Sequence, residues 1–311
     1  MIEIVAQSEP MREAVRLADR VAVTDANVLI TGESGVGKDA LAFYIHSKSN
    51  RANESFVKID CGALPSGLLE AELFGYERGA FTGAGEEKPG RLEASHRGTL
   101  VLDEIAQLSV DSQAKLLRVI ETREFERLGG RRTIKVDARL LALTNVNLSD
   151  AVKRHHFRED LYYRLNVVHI AVPPLRERKE DMQELAAAFV SSYAAKHGRD
   201  VRGLSSEVLS LLGDYEFPGN VRELANTIER AMILANGGRI EADDLPEPIR
   251  LAVRAQRRRA KPPTLAEVEA DYVAEVLAAS RGNKTEAART LGISRKNLYE
   301  KLARQKKNET K

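Results

Sequence analysis

Val28-Leu29-Ile30-Thr31-Gly32-Glu33-Ser34-Gly35-Val36-Gly37-Lys38-Asp39 decides how this chain is read. Three apolar residues make a short strand, three glycines allow a tight turn, and residues 40–47 read as a helix. Strand, glycine-rich turn and helix is the context in which G-x-x-x-x-G-K cradles phosphate. Glycines let backbone N–H groups close around the phosphates, Lys38 reaches the terminal ones, and the helix N-terminus adds its dipole. The residues from Gly32, Glu33, Ser34, Gly35, Val36 and Gly37 to Lys38 and Asp39 are therefore the candidate ATP cradle. Asp39 departs from the general motif, which places a Mg²⁺-binding Ser or Thr after the lysine.

Working outward, Leu100-Val101-Leu102-Asp103-Glu104 is an apolar strand ending in two carboxylates. Beside a phosphate loop, Asp103 is placed to hold Mg²⁺ and Glu104 to polarise the attacking water. Short apolar runs recur at residues 56–59, 140–143 and 167–170, each separated from the next by enough chain for a helix. That pattern predicts an α/β core with a parallel sheet covered on both faces. Pro173-Pro174 stops it. Residues 175–245 read as all helix: Met182, Leu185, Ala186, Phe189 and Val190 keep helical spacing, and segments 205–215 and 221–235 follow. The expected division is an α/β ATPase core over 1–172, a small all-α lid over 173–245, a Pro- and Arg-rich linker over 246–263 and a helical domain over 264–311.

Composition narrows the function. A 311-residue chain with 43% hydrophobic and 30% charged residues suits two or three globular domains. No apolar run reaches the roughly 18 residues that span a bilayer, the N-terminus lacks a signal-peptide pattern, and lone Cys61 excludes an internal disulfide. A reducing cytoplasm is the expected setting, with no membrane partner. The net charge of +2 hides an asymmetry: from Arg250 onward there are 16 Lys+Arg against 7 Asp+Glu, a net of +9, so the preceding residues carry −7. A basic tail on an acidic body is the footprint of a nucleic-acid-binding appendage.

Between the phosphate loop and the acidic pair lies Gly79-Ala80-Phe81-Thr82-Gly83-Ala84. Small residues around one aromatic and one hydroxyl suit a mobile loop better than a strand or helix. This GAFTGA string, with AELFGYER before it and GESGVGKD upstream, resembles the sigma-54-dependent transcriptional activators, the NtrC-like AAA+ ATPases that bind bacterial enhancers. The resemblance covers nearly the whole chain, from Ile4 to about Arg304. It implies an ATP-hydrolysing ring, with a hexamer as the expected form, that remodels the closed promoter complex of sigma-54 RNA polymerase holoenzyme. In it, residues 79–84 would contact sigma-54, and 124–132 would form a second glycine-hinged loop beside them. It also implies that Asp39 stands where the family usually has an acid, a second candidate for Mg²⁺. Asn145, after Thr144, corresponds to the family's first sensor near the γ-phosphate, and Arg222 to the second sensor, on the lid. Arg158 and Arg164 correspond to fingers reaching a neighbouring subunit's ATP, where a cation stabilises the transferring phosphoryl. Asp60 stands where the family often has an Asn that restrains Glu104; a carboxylate cannot donate that hydrogen bond unless protonated.

In the tail, residues 283–295 read as the first helix and turn of a helix–turn–helix, with Gly292 at the turn and Ser294 capping the second helix. It resembles the Fis-type DNA-binding domain. The second helix would enter the major groove of enhancer DNA, with Arg295, Lys296 and Asn297 as readers and Lys284, Thr285, Ser294, Lys301 and Tyr299 as further candidate contacts. Leu298 and Leu302 suit the core, and Tyr299 suits either role. A AAA+ unfoldase or helicase loader would share the ATP site but has no reason to carry GAFTGA. A DNA-binding regulator with a degenerate ATPase would not need Lys38, Asp103, Glu104 and both finger arginines. Nothing before Ile4 reads as the receiver of a two-component system; a natural absence and a piece of a longer regulator both fit.

Overall fold

The computed structural model describes residues 4–235, 237–260, 269–270, 272–274, 276–277, 280 and 283–308. The chain forms two compact units, Met1–Pro246 and Glu247–Lys311. The first opens with α1 (Glu9–Ala22), β1 (Val28–Thr31), α2 (Lys38–Ser47), β2 (Phe56–Asp60) and α3 (Ser66–Phe74). A short pair, β3 (Gly75–Tyr76) and β4 (Lys88–Pro89), is followed by α4 (Arg91–Ala94), β5 (Thr99–Asp103) and α5 (Val110–Thr122). A hairpin of β6 (Glu124–Glu126) and β7 (Thr133–Lys135) precedes β8 (Arg139–Thr144), α6 (Leu148–Lys153), α7 (Glu159–Leu165) and β9 (Val168–Ala171).

The five long strands pair in parallel in the order β2-β5-β8-β1-β9, as the apolar runs predicted. Alternation along each strand feeds two cores. Leu29, Leu100, Leu102, Leu140 and Ala142 face one layer of helices. Val28, Ile30, Val101, Leu141 and Leu143 face the other. Successive side chains on a strand point to opposite faces, so an unbroken apolar run is what a sheet covered on both sides requires. Each fully buried aliphatic side chain contributes about 1.5–3 kcal/mol.

Arg139 is the exception to that apolarity. It is 1% exposed, and its guanidinium donates to the Val21 and Ala22 carbonyls, both at 2.8 Å. Those carbonyls close α1, where the last turn lacks helical partners. Burial holds the Arg139 guanidinium below its ordinary pKa, partly offset by Asp25.

After Pro173-Pro174 come the lid helices α8 (Met182–His197), α9 (Ser206–Asp214) and α10 (Asn220–Leu234). Ser205 caps α9 by accepting from the Val208 amide, and Gly198 ends α8 at φ +62°.

In the second unit, the first part of the expected linker is helical. α11 runs Glu247–Ala260, with Ile249 and Val253 buried one turn apart. Pro248 sits in the first turn, where a missing N–H costs nothing, and Arg-rich sequence is a good helix former. Pro262-Pro263, on which the linker expectation also rested, lie outside the described residues. The two helices of the expected helix–turn–helix are Lys284–Thr290 and Arg295–Asn308. Asn283 caps the first by accepting from the Thr285 and Glu286 amides, and Gly292 turns the chain at φ +66°. Ala287, Ala288 and Leu298 are buried together, and Leu302 packs beside them.

Candidate functional site

The phosphate loop folds as its glycines demand. Gly35 has φ +78°, and a Cβ there would meet the Gly219 carbonyl at 2.4 Å, so no other residue fits. Gly37 precedes α2 at φ +104°, and α2 begins at Lys38. Lys38 is buried, its Nζ donating to the Gly32 carbonyl at 2.8 Å and the Glu33 carbonyl at 3.1 Å. Burial lowers the Lys38 pKa, and the carboxylates of Glu104, Asp103 and Asp39 partly restore it. The ammonium is thus held inside the loop among the three acids expected around it.

The sheet register sets the acids. Asp60 pairs with Asp103 across β2 and β5, and the Cys61 amide donates to the Asp103 carbonyl at 2.9 Å. Glu104 leaves the strand in the left-handed region, φ +51°, its amide donating to Asp103 Oδ1 at 3.0 Å. A non-glycine residue there stores about 1–3 kcal/mol of strain, a feature that clusters at functional sites. Asp60 Oδ1 accepts from the Gly62 amide at 2.8 Å. It therefore acts as an acceptor here, consistent with a carboxylate that cannot donate to Glu104.

Sequence reasoning missed Lys58. Its ammonium lies between the two candidate metal ligands, ion-paired to Asp39 and, at 2.8 Å, to Asp103. Burial draws its pKa down, but hydrogen bonds to Asp103 and Asp39 outweigh that, leaving it raised. The two carboxylates thus accept a cation between them, and with the loop and Lys38 they fit a nucleotide bound with Mg²⁺. Within a strand read only for its apolar residues, Lys58 carries no sequence signal of its own.

Asn145, at the end of β8, is exposed beside the loop and lines a cavity with Gly32, Glu33 and Thr31. The lid reaches the loop as well: the Arg222 amide donates to the Gly35 carbonyl at 3.2 Å, and Arg222 Nη1 donates to Ser34 Oγ at 3.0 Å. The Glu33 carboxylate turns toward Arg176 and Asn220, whose hydrogen bonds hold its pKa down at about 2. The structure does not bring Arg158 and Arg164 into this group. Arg158 pairs with Asp160 at 2.7 Å and Arg164 with Glu121 at 3.3 Å, the first partly and the second well exposed, at or near the ends of α7.

Residues 79–84 form a compact turn between β3 and β4. The Gly79 amide donates to the Ala84 carbonyl at 2.8 Å, and Gly79 and Gly83 take φ of +79° and +107°. Phe81, 41% exposed, packs edge-on against Tyr76 with ring centroids 4.9 Å apart. Thr82 is exposed at the same tip. The 124–132 segment lies alongside: Glu77 donates its amide to the Leu128 carbonyl at 3.0 Å, and a Cβ on Gly129 would meet that of Ala80 at 2.9 Å. Arg127 pairs with Glu93 at 2.8 Å, Glu77 at 3.2 Å and Glu87 at 3.4 Å, so one guanidinium ties down acids on both sides of the turn.

In the tail, Ser294 Oγ accepts from the Asn297 amide at 3.2 Å, starting the second helix as expected. Lys284 Nζ lies 4.8 Å from the centre of the Tyr299 ring, a cation–π pair joining the two helices. Arg295, Lys296 and Asn297 are exposed on the helix's first turn. Lys301 pairs with Glu269, so its charge is partly committed within the unit.

The chain matches three known families end to end. Residues 4–171 match the Sigma-54 interaction domain, 176–262 the AAA+ ATPase lid domain, and 264–304 the Fis family of bacterial regulatory proteins. The regulatory protein AtoC of Escherichia coli is 45% identical over 307 residues, covering 96% of this chain and 67% of that protein. FlbD of Caulobacter vibrioides, a transcriptional regulatory protein, is 44% identical, covering 96% of this chain and 69% of its own. The crystal structure of NtrX from Brucella abortus in complex with ATP superposes with a TM-score of 0.73 at 35% identity, over 97% of this chain and 69% of that one. A phosphate loop holding its lysine among three carboxylates, a helical lid and a Fis-type tail agree with these matches throughout: the chain belongs to the sigma-54-dependent transcriptional activators, NtrC-like AAA+ ATPases with a C-terminal helix–turn–helix domain.

Proposed function

We propose that this ATPase assembles as a cytoplasmic ring, of six subunits, binds enhancer DNA through its tail and uses residues 79–84 to remodel the closed complex of sigma-54 RNA polymerase. Lys38 and the loop amides bind the phosphates, with Asp103 and Asp39 holding Mg²⁺, which supplies charge neutralisation on the phosphate oxygens when bound. Glu104 orients the attacking water and accepts its proton, and Asn145 positions the γ-phosphate. Arg164 is exposed, Arg158 partly so, and both pair with acids outside their own phosphate loop, which supports action on a neighbouring subunit. A complete active site then needs two adjacent subunits, and a ring supplies one at every interface.

One observation carries the coupling. The tip holding Phe81 and Thr82 stands on β3 and β4, and acids on either side of it share Arg127. A shift at its base therefore moves the tip as a unit. Phe81 presents an apolar ring to the sigma factor, and Thr82 supports it. The test is capture of sigma-54 by the full chain with ADP and an aluminium or beryllium fluoride mimic of the γ-phosphate. Wild type should form a nucleotide-dependent complex and Thr82→Ala should not; equal capture by both refutes the loop assignment.

A further inference from the structure

Four consecutive residues of the phosphate loop are gripped from the lid side. Glu33 receives both Arg176 Nη1 and Nη2, at 2.9 and 2.6 Å, and Asn220 Nδ2 at 3.0 Å. Ser34 accepts from Asn220 Nδ2 at its carbonyl, 3.1 Å, and from Arg222 at its hydroxyl. The Gly35 carbonyl takes the Arg222 amide, and the Val36 carbonyl takes the guanidinium of the buried Arg178. Arg176 and Arg178 lie in the segment entering α8, while Asn220 and Arg222 open α10, so both of these lid helices are fixed to one turn of backbone.

Asn220 is the keystone of the set. It is fully buried with φ +54°, a conformation that asparagine tolerates better than most residues. Its Oδ1 accepts from the Leu175 amide at 2.8 Å while its Nδ2 donates to Glu33 and Ser34. Only a side-chain amide offers an acceptor and a two-proton donor in so short a group. The fork of Arg176 on Glu33 is bidentate, the arrangement that fixes geometry as well as charge. Glu33 thereby has a role separate from phosphate binding: its backbone belongs to the cradle and its carboxylate to the lid.

We propose that Glu33 and Asn220 are positioning residues that clasp the lid, and with it Arg222, to the phosphate loop. Movement of the loop on nucleotide binding is passed to α10 through this clasp, and lid position feeds back on nucleotide affinity by the same coupling. The inference rests on the reading of Arg222 as the lid's nucleotide sensor only for its catalytic consequence; the clasp itself is independent of it.

The experiment uses the full chain and the hydrogen exchange of the Arg222 amide, whose acceptor is the Gly35 carbonyl, together with steady-state ATP hydrolysis. Glu33→Gln removes the ion pair with little change in shape. It should speed exchange at the Arg222 amide and raise KM for ATP about fivefold each, the effect of a partly exposed bidentate pair. Asn220→Asp, which replaces the donor by a second carboxylate facing Glu33, should exceed Glu33→Gln on both readouts. Arg222→Ala keeps the amide and should lower kcat instead. If Arg222→Ala has normal kcat while Glu33→Gln still loses protection, the sensor reading fails and the clasp stands. Wild-type exchange and wild-type KM in Glu33→Gln overturn the clasp.

Discussion

Lys58 Nζ lies 2.8 Å from Asp103 Oδ2 while also pairing with Asp39, so an ammonium occupies the space between two carboxylates expected to share a divalent cation. This neutralises like charges that the sheet register and α2 bring together. Lys58→Met should therefore lower stability without Mg²⁺ by about 1 kcal/mol, the scale of a partly exposed pair. Added Mg²⁺ should raise the melting temperature of the variant more than that of wild type. Equal melting temperatures with and without the metal in both proteins would contradict the counterion role.

Arg139 tests the frame beneath the site. Arg139→Ala removes a fully buried side chain together with its hydrogen bonds to the Val21 and Ala22 carbonyls at the end of α1, leaving Val21 only its bonds from Thr24. The expected loss is about 3 kcal/mol in urea unfolding. Arg139→Met, which keeps most of the volume, should lose less than Arg139→Ala. If the two lose equally, the cost lies in the hydrogen bonds and not in packing.

How much of this was legible before the structure follows from what each residue type announces. β1, β5 and β8 were readable because sheets buried on both faces need unbroken apolar runs, and the phosphate loop because its glycines have one use. The lid helices followed from their spacing. Lys58, Arg176 and Asn220 were not readable. Each acts through a partner far away in sequence, as when Asn220 bonds Glu33 across 187 residues. Asn220 stands just before the segment 221–235 and carries no signal of its own. The helix Glu247–Ala260 was missed for a related reason: proline and arginine content suggested a linker, but Pro248 sits where a helix tolerates it and the arginines favour helix.

The finger assignment predicts a catalyst that exists only between subunits. Arg158→Ala and Arg164→Ala should each lose hydrolysis on the order of 10³-fold while binding nucleotide almost normally. Wild-type specific activity should rise with protein concentration. A monomer with constant specific activity over a wide dilution range is incompatible with action in trans.

For the tail, Arg295→Ala combined with Lys296→Ala should weaken enhancer binding by the full chain. If both side chains meet phosphate, the double variant should also flatten the dependence of log affinity on log salt by about two units. ATP hydrolysis without DNA should stay at the wild-type rate. Unchanged affinity and salt slope would remove the first turn of the helix Arg295–Asn308 from the DNA interface.

In the proposed function, ATP hydrolysis and promoter remodelling meet at residues 79–84 and are separable there. Thr82 is exposed at the tip and makes no part of the phosphate loop. The most direct measurement is open-complex formation on a sigma-54 promoter by wild type and Thr82→Ala at matched ATPase rates. Wild type should open the promoter while the variant hydrolyses ATP without opening it. Normal opening by Thr82→Ala would make residues 79–84 a surface turn and contradict the account.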